Sequence, residues 1–380
     1  MFKGVFMRKL KIISIFGTRP EAIKMCPLVK ALEKSEKIES IVCVTAQHRE
    51  MLDNVLEMFD VKADYDLDIM SHGQTIVDVS NKVLNGVDKV IKDCNPDIVL
   101  VHGDTSTTLN AALAAFYNKI PIGHVEAGLR SGDIYSPFPE EVNRKLTGAI
   151  AKLHFAATES NKENLNKENI RENIYITGNT VIDALLSVVD KKYKFTDEML
   201  NKIDFENNKL ILLTTHRREN WGKPMHNIFK AVRKLIENNE DVQVIFPMHK
   251  NPIVRNLAKA KFEGIEDRVI MIEPLEYKDF SNLMAKCYLI MTDSGGIQEE
   301  APALGKPVLV LRTETERPEA VRAGTVALVG IEQENIYNKA HLLINNIEEY
   351  EKMSKAINPY GDGEACARIV SILENYFENK

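Results

Sequence analysis

The chain has no apolar run approaching the roughly 18–20 residues that a membrane-spanning helix needs. Positive charge is not in excess: the formal net charge is −6 over 380 residues, so no basic field invites nucleic acid. An anionic ligand must therefore meet individually placed Arg and Lys. Cysteines number only five, Cys26, Cys43, Cys94, Cys287 and Cys366. They are scattered, odd in number and never at metal-ligand spacing, which argues against a disulfide framework and a zinc site. Reduced core thiols of a cytoplasmic protein are expected. Met1 to Leu10 carries positive charge without the apolar stretch of a signal peptide. Repeats and low-complexity tracts are lacking. So is Gly-x-Gly-x-x-Gly, and with it any support for a nicotinamide cofactor. No metal constellation appears, and no cofactor is expected.

Hydrophobic content of 44% and charged content of 27% describe an ordinary soluble globular protein. The length predicts about two or three domains. Apolar stretches ending in polar, glycine-containing turns recur along the first half: 11–16, 41–46, 96–101, 121–126 and 153–157. Helical patterns separate them, so a parallel, doubly wound sheet is predicted. The pattern breaks near Gly178-Asn179, and 190–208 is charged and weakly patterned. It resumes at 210–215, 242–248, 269–273, 288–293, 308–312 and 326–329, which predicts a second parallel sheet. An amphipathic helix near 364–378 is expected to pack back on the body. The fold class is α/β: two Rossmann-like doubly wound domains facing across a cleft.

The second half is organised around Asp293-Ser294-Gly295-Gly296-Ile297-Gln298-Glu299-Glu300, a strand followed by a glycine turn and a helix. Glycines allow a ligand close to the backbone, and the first helical N–H groups suit a diphosphate. Glu300, about a turn further on, is within reach of sugar hydroxyls. A tight connection without a ligand is the alternative. In the first half, Thr18 and Glu21 have capping-box spacing around Arg19-Pro20. Arg19 opposes the helix dipole there, which favours anion binding over a stabilising role; Lys24 lies about a turn on.

Ligands bind at the carboxyl ends of such sheets. Arg19, Asp104 and Glu126 should therefore line one rim, and His216 and the glycine turn another. Asp104 is equally readable as a cap for the following helix. Glu126 either pairs with Arg130 or, in apolar surroundings that raise its pKa, transfers protons. Glu140 and Glu141 suit a first helical turn. His216, Arg217 and Arg218 read as an anion site or a surface cluster. Arg312 and Arg317 flank a polar loop at a strand end. Asp64-Tyr65-Asp66-Leu67-Asp68 has the Asp-x-Asp spacing of some metal-using sugar-nucleotide enzymes but reads as a solvated loop.

Phe16-Gly17-Thr18-Arg19-Pro20-Glu21-Ala22, His102-Gly103-Asp104-Thr105, His124-Val125-Glu126-Ala127-Gly128-Leu129-Arg130, Pro139-Glu140-Glu141, Asn143-Arg144, Thr177-Gly178-Asn179-Thr180, His216-Arg217-Arg218-Glu219-Asn220 and Asp293 to Glu300 follow one another in order. Together they resemble the non-hydrolysing UDP-N-acetylglucosamine 2-epimerases, from about Lys11 to the last helix. The resemblance implies a glycosyltransferase-B-like fold. Residues 1–177 with 364–380 would form one domain, and 178–363 the UDP-binding domain. It implies reversible conversion of UDP-GlcNAc to UDP-ManNAc through loss of UDP to a 2-acetamidoglucal and re-addition, in a cytoplasmic homodimer. Asp104, Glu126, Glu140 and His216 would be catalytic. Arg19, Lys24, His216, Ser294, Gly295, Gly296, Glu300 and Arg317 would contact the UDP-sugar, together with Asp104 and Glu126, and Leu275 and Phe280 would flank uracil. Gln47, Arg217 and His249 match positions where some bacterial members bind an activating second UDP-GlcNAc. Glu50 departs from that pattern, since a carboxylate repels diphosphate. A glycosyltransferase of the same architecture, a hydrolysing epimerase and a UDP-sugar sensor remain as alternatives.

Overall fold

A computed structural model describes residues 8–46 and 49–378. The chain divides into two compact units, Met1–Ser187 with Tyr360–Lys380, and Val188–Pro359. In the first unit the strands are β1 (Leu10–Phe16), β2 (Ile38–Val44), β3 (Tyr65–Asp66), β4 (Ile98–His102), β5 (Ile122–Ala127), β6 (Leu153–Ala156) and β7 (Ile174–Ile176). They form one seven-stranded sheet in the order β3-β2-β1-β4-β5-β6-β7, parallel at every pairing.

Near-continuous apolar strands suit a sheet covered on both faces. Successive side chains of β1 point to opposite sides. Ile12 and Phe16 join Met25, Leu28 and Leu32 of the helix Arg19–Glu33 and Ile369 and Leu373 of the last helix, Ala365–Glu378. Ile13 and Ile15 face Val83 and Val87 of the helix Ile76–Cys94 and Ala111 and Ala115 of the helix Ser106–Tyr117. The amphipathic C-terminal helix thus completes the core of the first unit.

The second unit holds β8 (Lys209–Thr214), β9 (Val242–Pro247), β10 (Val269–Ile272), β11 (Leu289–Thr292), β12 (Val308–Val310) and β13 (Val326–Leu328). Its six-stranded sheet runs β10-β9-β8-β11-β12-β13, again parallel throughout. Phe229 anchors the core, its ring centroid 5.6 Å from that of Phe246 and 5.1 Å from that of Phe262. Strand order reverses between β1 and β4 in one sheet and between β8 and β11 in the other. Those switch points are where sheets of this type bind ligands.

Two edge strands differ from expectation. β7 has three residues and β3 two, too short for a periodic signal. β3 lies inside the Asp64–Asp68 stretch, so that stretch is not simply a solvated loop. Asp64 Oδ2 accepts the Val42 N–H at 2.8 Å, and Asp66 Oδ2 pairs with Arg49 at 2.5 Å. The weakly patterned segment 190–208 contains one short helix, Glu198–Asn201, and is fastened by the Tyr193 hydroxyl donating to Asp279 at 3.0 Å. Among the described residues no helix is long and apolar enough to cross a membrane.

Candidate functional site

At the first unit's switch point, β1 runs into Gly17 and the helix that begins at Arg19. Glu21 binds this corner together. Its Oε2 accepts from the Gly17 and Thr18 N–H groups at 3.0 and 2.8 Å. Its Oε1 accepts from the hydroxyls of Thr105 and Thr108, after β4, at 2.7 and 3.2 Å. The capping-box glutamate therefore also joins two strand ends. Gly17 is obligatory here: a Cβ would stand 1.8 Å from Thr45 Oγ1.

Asp104 follows β4. It is not the helix cap; Thr105 is, accepting from Thr108 N at 3.1 Å. The Asp104 carboxylate instead receives Arg144 Nη2 at 2.5 Å, and its backbone carbonyl receives Asn143 Nδ2 at 2.8 Å. Both donors sit on the helix Glu140–Ile150. Glu141 of that helix is fully buried and accepts from Ser131 N, Gly132 N and Arg144 Nη1 at 3.0, 3.2 and 3.1 Å. Burial works against its charge, yet those donors outweigh it and hold its pKa below the ordinary value. Its neighbour Glu140 differs: Oε2 is buried without a hydrogen-bond partner among the described residues. Glu141 is thus scaffold, while Glu140 retains unused acceptor capacity.

Glu126 lies near the end of β5 with φ +60°, a left-handed backbone unusual outside glycine. The β5–β6 register shifts at the same place, between Val125 and Ala127. Such bulges re-aim a side chain. Glu126 Oε2 pairs with Lys24 Nζ and accepts from Asn179 Nδ2 at 3.0 Å. His102 Nε2 stands 3.6 Å away, just beyond a hydrogen bond. A Cβ on Gly103 would lie 3.8 Å from Glu126 Oε1, so the turn that carries Asp104 borders Glu126.

Two expectations about Glu126 are corrected. Arg130 does not pair with it; Arg130 forms a two-pronged bridge to Glu168 at 2.9 and 2.7 Å. Nor is its pKa raised. Burial is the largest single influence and pushes it up, but Lys24, with His102 behind, holds it well below the ordinary 4.5. Neighbouring His124 is neutral, its pKa pushed down to about 3 by burial, and its Nε2–H donates to the Gly103 carbonyl at 2.7 Å.

In the second unit Asp293, fully buried after β11, organises the loop after β8. Its Oδ2 accepts from Thr215 Oγ1, His216 N, Arg217 N and Asn220 Nδ2 at 3.0, 3.0, 3.0 and 2.9 Å. His216 Nδ1 lies 3.3 Å from Oδ1. The His216-Arg217 pair is therefore a built loop rather than a loose surface cluster. The glycines are not a turn before the helix. Ser294 is the N-cap, and Gly295 and Gly296 are the first residues of the helix Gly295–Glu300. Their N–H groups are the ones that a helix leaves unpaired. Arg317 covers this end, its guanidinium carbon 3.6 Å from where a Gly295 Cβ would be, while its Nε donates to Glu299 at 2.6 Å. Glu300 accepts from the Tyr277 hydroxyl at 2.8 Å. Burial, reinforced by Glu300, pushes the Tyr277 phenol well up, so it stays a donor. Arg312 is committed to Glu219 and Glu316, at 2.7 Å each.

Beside this helix lies a cavity of about 220 Å³ lined by Thr215, His216, His249, Leu275, Phe280 and Ser294, among others. It falls below the ~300 Å³ at which pockets for whole drug-sized ligands begin, and suits one ring of a larger ligand. His249 stacks on His216, with centroids 6.1 Å apart. Of the expected activator residues, Glu50 is exposed in the first turn of the helix Arg49–Met58 and Arg217 stands 3.8 Å from Glu316. Gln47 lies outside the described residues.

Sequence reasoning gave no role to Asp293, Arg144, Asn179, His102 or Tyr277. Asp293 and His102 stand at strand ends beside the switch points, and His102, Arg144, Asn179 and Asp293 fall within the motifs that carry the resemblance. Their partners are far away in sequence, so the pairings themselves left no trace.

Two parallel, doubly wound sheets, each gathering polar groups where its strand order reverses, define an α/β protein of the glycosyltransferase-B-like class. A model of the UDP-N-acetylglucosamine 2-epimerase family matches residues 30–374. The UDP-N-acetylglucosamine 2-epimerase of Bacillus subtilis is 57% identical over 97% of this chain and 96% of that protein. The Escherichia coli K12 protein of the same name is 52% identical over 96% and 99%. The Neisseria meningitidis UDP-GlcNAc 2-epimerase, solved bound to UDP-GlcNAc, superposes with a TM-score of 0.84 at 49% identity, over 96% of this chain and all of that one. The chain belongs to the UDP-N-acetylglucosamine 2-epimerase family.

Proposed function

We propose that this protein interconverts UDP-GlcNAc and UDP-ManNAc without hydrolysis. UDP leaves C1 with the bonding electron pair, and the C2 proton passes to a protein base, giving 2-acetamidoglucal. UDP then re-adds at C1 while C2 is reprotonated on its other face. The C2 proton is hardly acidic while UDP remains attached. Departure of UDP develops oxocarbenium-like charge, which carboxylates stabilise in glycoside chemistry. The departing diphosphate needs preorganised donors. In this reading Arg19, Lys24, His216, Arg317 and the Ser294–Gly296 backbone meet the diphosphate. Glu300 meets the ribose, and Leu275 and Phe280 flank uracil. Asp104, Glu126 and Glu140 handle protons and charge at the hexose.

The observation that carries this reading is the treatment of the acids. Asp104 and Glu126 each have a dedicated cation, Arg144 and Lys24, near one sheet's switch point, while a buried Glu140 oxygen has no hydrogen-bond partner among the described residues. A transferase needs no such trio. Family membership, and UDP-GlcNAc in the Neisseria relative, support the substrate. NMR of UDP-GlcNAc in D2O with the purified protein tests it. Deuterium at C2 together with UDP-ManNAc is expected. Free ManNAc with UDP would instead mean a hydrolysing enzyme, and binding without turnover a sensor.

A further inference from the structure

Glu126 is held by an ammonium and an amide, and this support falls on one side. Lys24, Asn179 and His102 all face Oε2. No hydrogen bond to Oε1 is formed among the described residues. These are the charged and polar groups facing it from the helix Arg19–Glu33, from β4 and from the segment before the helix Thr180–Val188.

The two close donors are not equivalent. Lys24 is a point charge on a four-carbon stem, which sets little direction for the carboxylate it pairs with. Asn179 is only 4% exposed and fastened at every polar point. Its Oδ1 accepts the Val181 N–H at 3.0 Å, and its own N–H donates to the Tyr360 carbonyl at 2.7 Å. Because Oδ1 is engaged, the amide has one orientation, with Nδ2 toward Glu126. Behind it Gly178 and Gly361 are in close backbone contact: a Cβ on Gly178 would lie 3.3 Å from Gly361 Cα.

We propose that Asn179 is a positioning residue for Glu126: its fixed amide holds Oε2, so that Oε1 is the oxygen that exchanges a proton with the substrate. This rests on the elimination reading above. The fixed Asn179 amide keeps the carboxylate from rotating on its left-handed backbone.

Asn179→Asp is the test. It keeps the oxygen that caps the helix Thr180–Val188 and the shape of the side chain. It replaces the donor by a second carboxylate facing Oε2. Losing one charge-assisted hydrogen bond is expected to lower kcat about 10- to 100-fold near pH 8, with KM nearly unchanged. The ratio of variant to wild-type kcat should recover as pH falls, because the new carboxyl takes up a proton and donates again. A purely structural role predicts a ratio flat in pH, and that result, or wild-type kcat, overturns the proposal. If calorimetry shows that Asn179→Asp no longer binds UDP, Asn179→Ser decides instead. Serine still caps the helix but does not reach Glu126, so kcat should fall while KM and UDP affinity by calorimetry are kept; unchanged kcat, or a fall shared by KM and UDP affinity, overturns the proposal. Wild-type protein that puts no deuterium at C2 refutes the elimination reading, whereas wild-type exchange with unaffected variants refutes only the role of Asn179.

Discussion

Replacing Lys24 with methionine isolates the electrostatic support of Glu126. The volume is similar, and both side chains of the pair are mostly buried, at 18% and 15% exposure. The variant leaves Glu126 with the Asn179 amide and with His102 at 3.6 Å. Removing one partner of a buried pair costs about 3–5 kcal/mol, because the remaining charge is stranded. Glu126 then loses the influence that depresses its pKa, and burial raises it above the ordinary 4.5. In the wild type, a depressed carboxylate contributes stability that is present above 4.5 and lost only as pH falls through the lower folded value. In Lys24→Met the folded state holds its proton longer than the unfolded chain. The penalty is therefore already present at pH 4.5 and goes on growing above it by up to about 1.4 kcal/mol per pH unit. It levels off once the raised pKa is passed. Two units need not unfold together, so one melting temperature is a poor readout. Hydrogen exchange of peptides covering β4 and β5, at about pH 5.5 and pH 8, reads the first unit alone. After correction for intrinsic exchange, a penalty equal at both pH values would show that Glu126 is not the group stranded by the substitution.

Asp104→Asn weakens the 2.5 Å pair with Arg144 but leaves the second unit untouched. UDP affinity by calorimetry should survive, while epimerisation by NMR falls about 10²- to 10⁴-fold, the range for a lost acid–base group. Full turnover would remove Asp104 from the mechanism. Asp293→Asn turns an NH2 toward some of the donors that now converge on one carboxylate, and should loosen the His216 loop. UDP binding should weaken by about 10- to 100-fold, from 1.5–3 kcal/mol for one such charged hydrogen bond. Unchanged affinity would mean that the loop does not meet the nucleotide.

The long strands were legible because residues such as Ile12 to Phe16 are apolar without interruption. β3 and β7 were not, having too few residues to show a period. Strand ends located Arg19, Asp104, Glu126 and His216, since a parallel sheet turns chain order into position. Pairing was invisible. Arg130, four residues from Glu126, looked like its partner, but the partner is Lys24, 102 positions away. The direction of the Glu126 pKa was misread for the same reason: apolar neighbours in sequence say nothing about an ammonium delivered by another helix. Likewise Thr105, not Asp104, caps its helix, because Arg144 takes the carboxylate from 40 positions away.

The last helix, which completes the core of the first unit through Ile369 and Leu373, has a practical corollary. Residues 188–359 are spliced into the middle of another folding unit rather than appended to it. Shuffling halves between relatives by a single crossover would leave a hybrid whose front portion carries a foreign closing segment. A cassette exchange cut at both seams, 187/188 and 359/360, would keep each hydrophobic interior with its own parent.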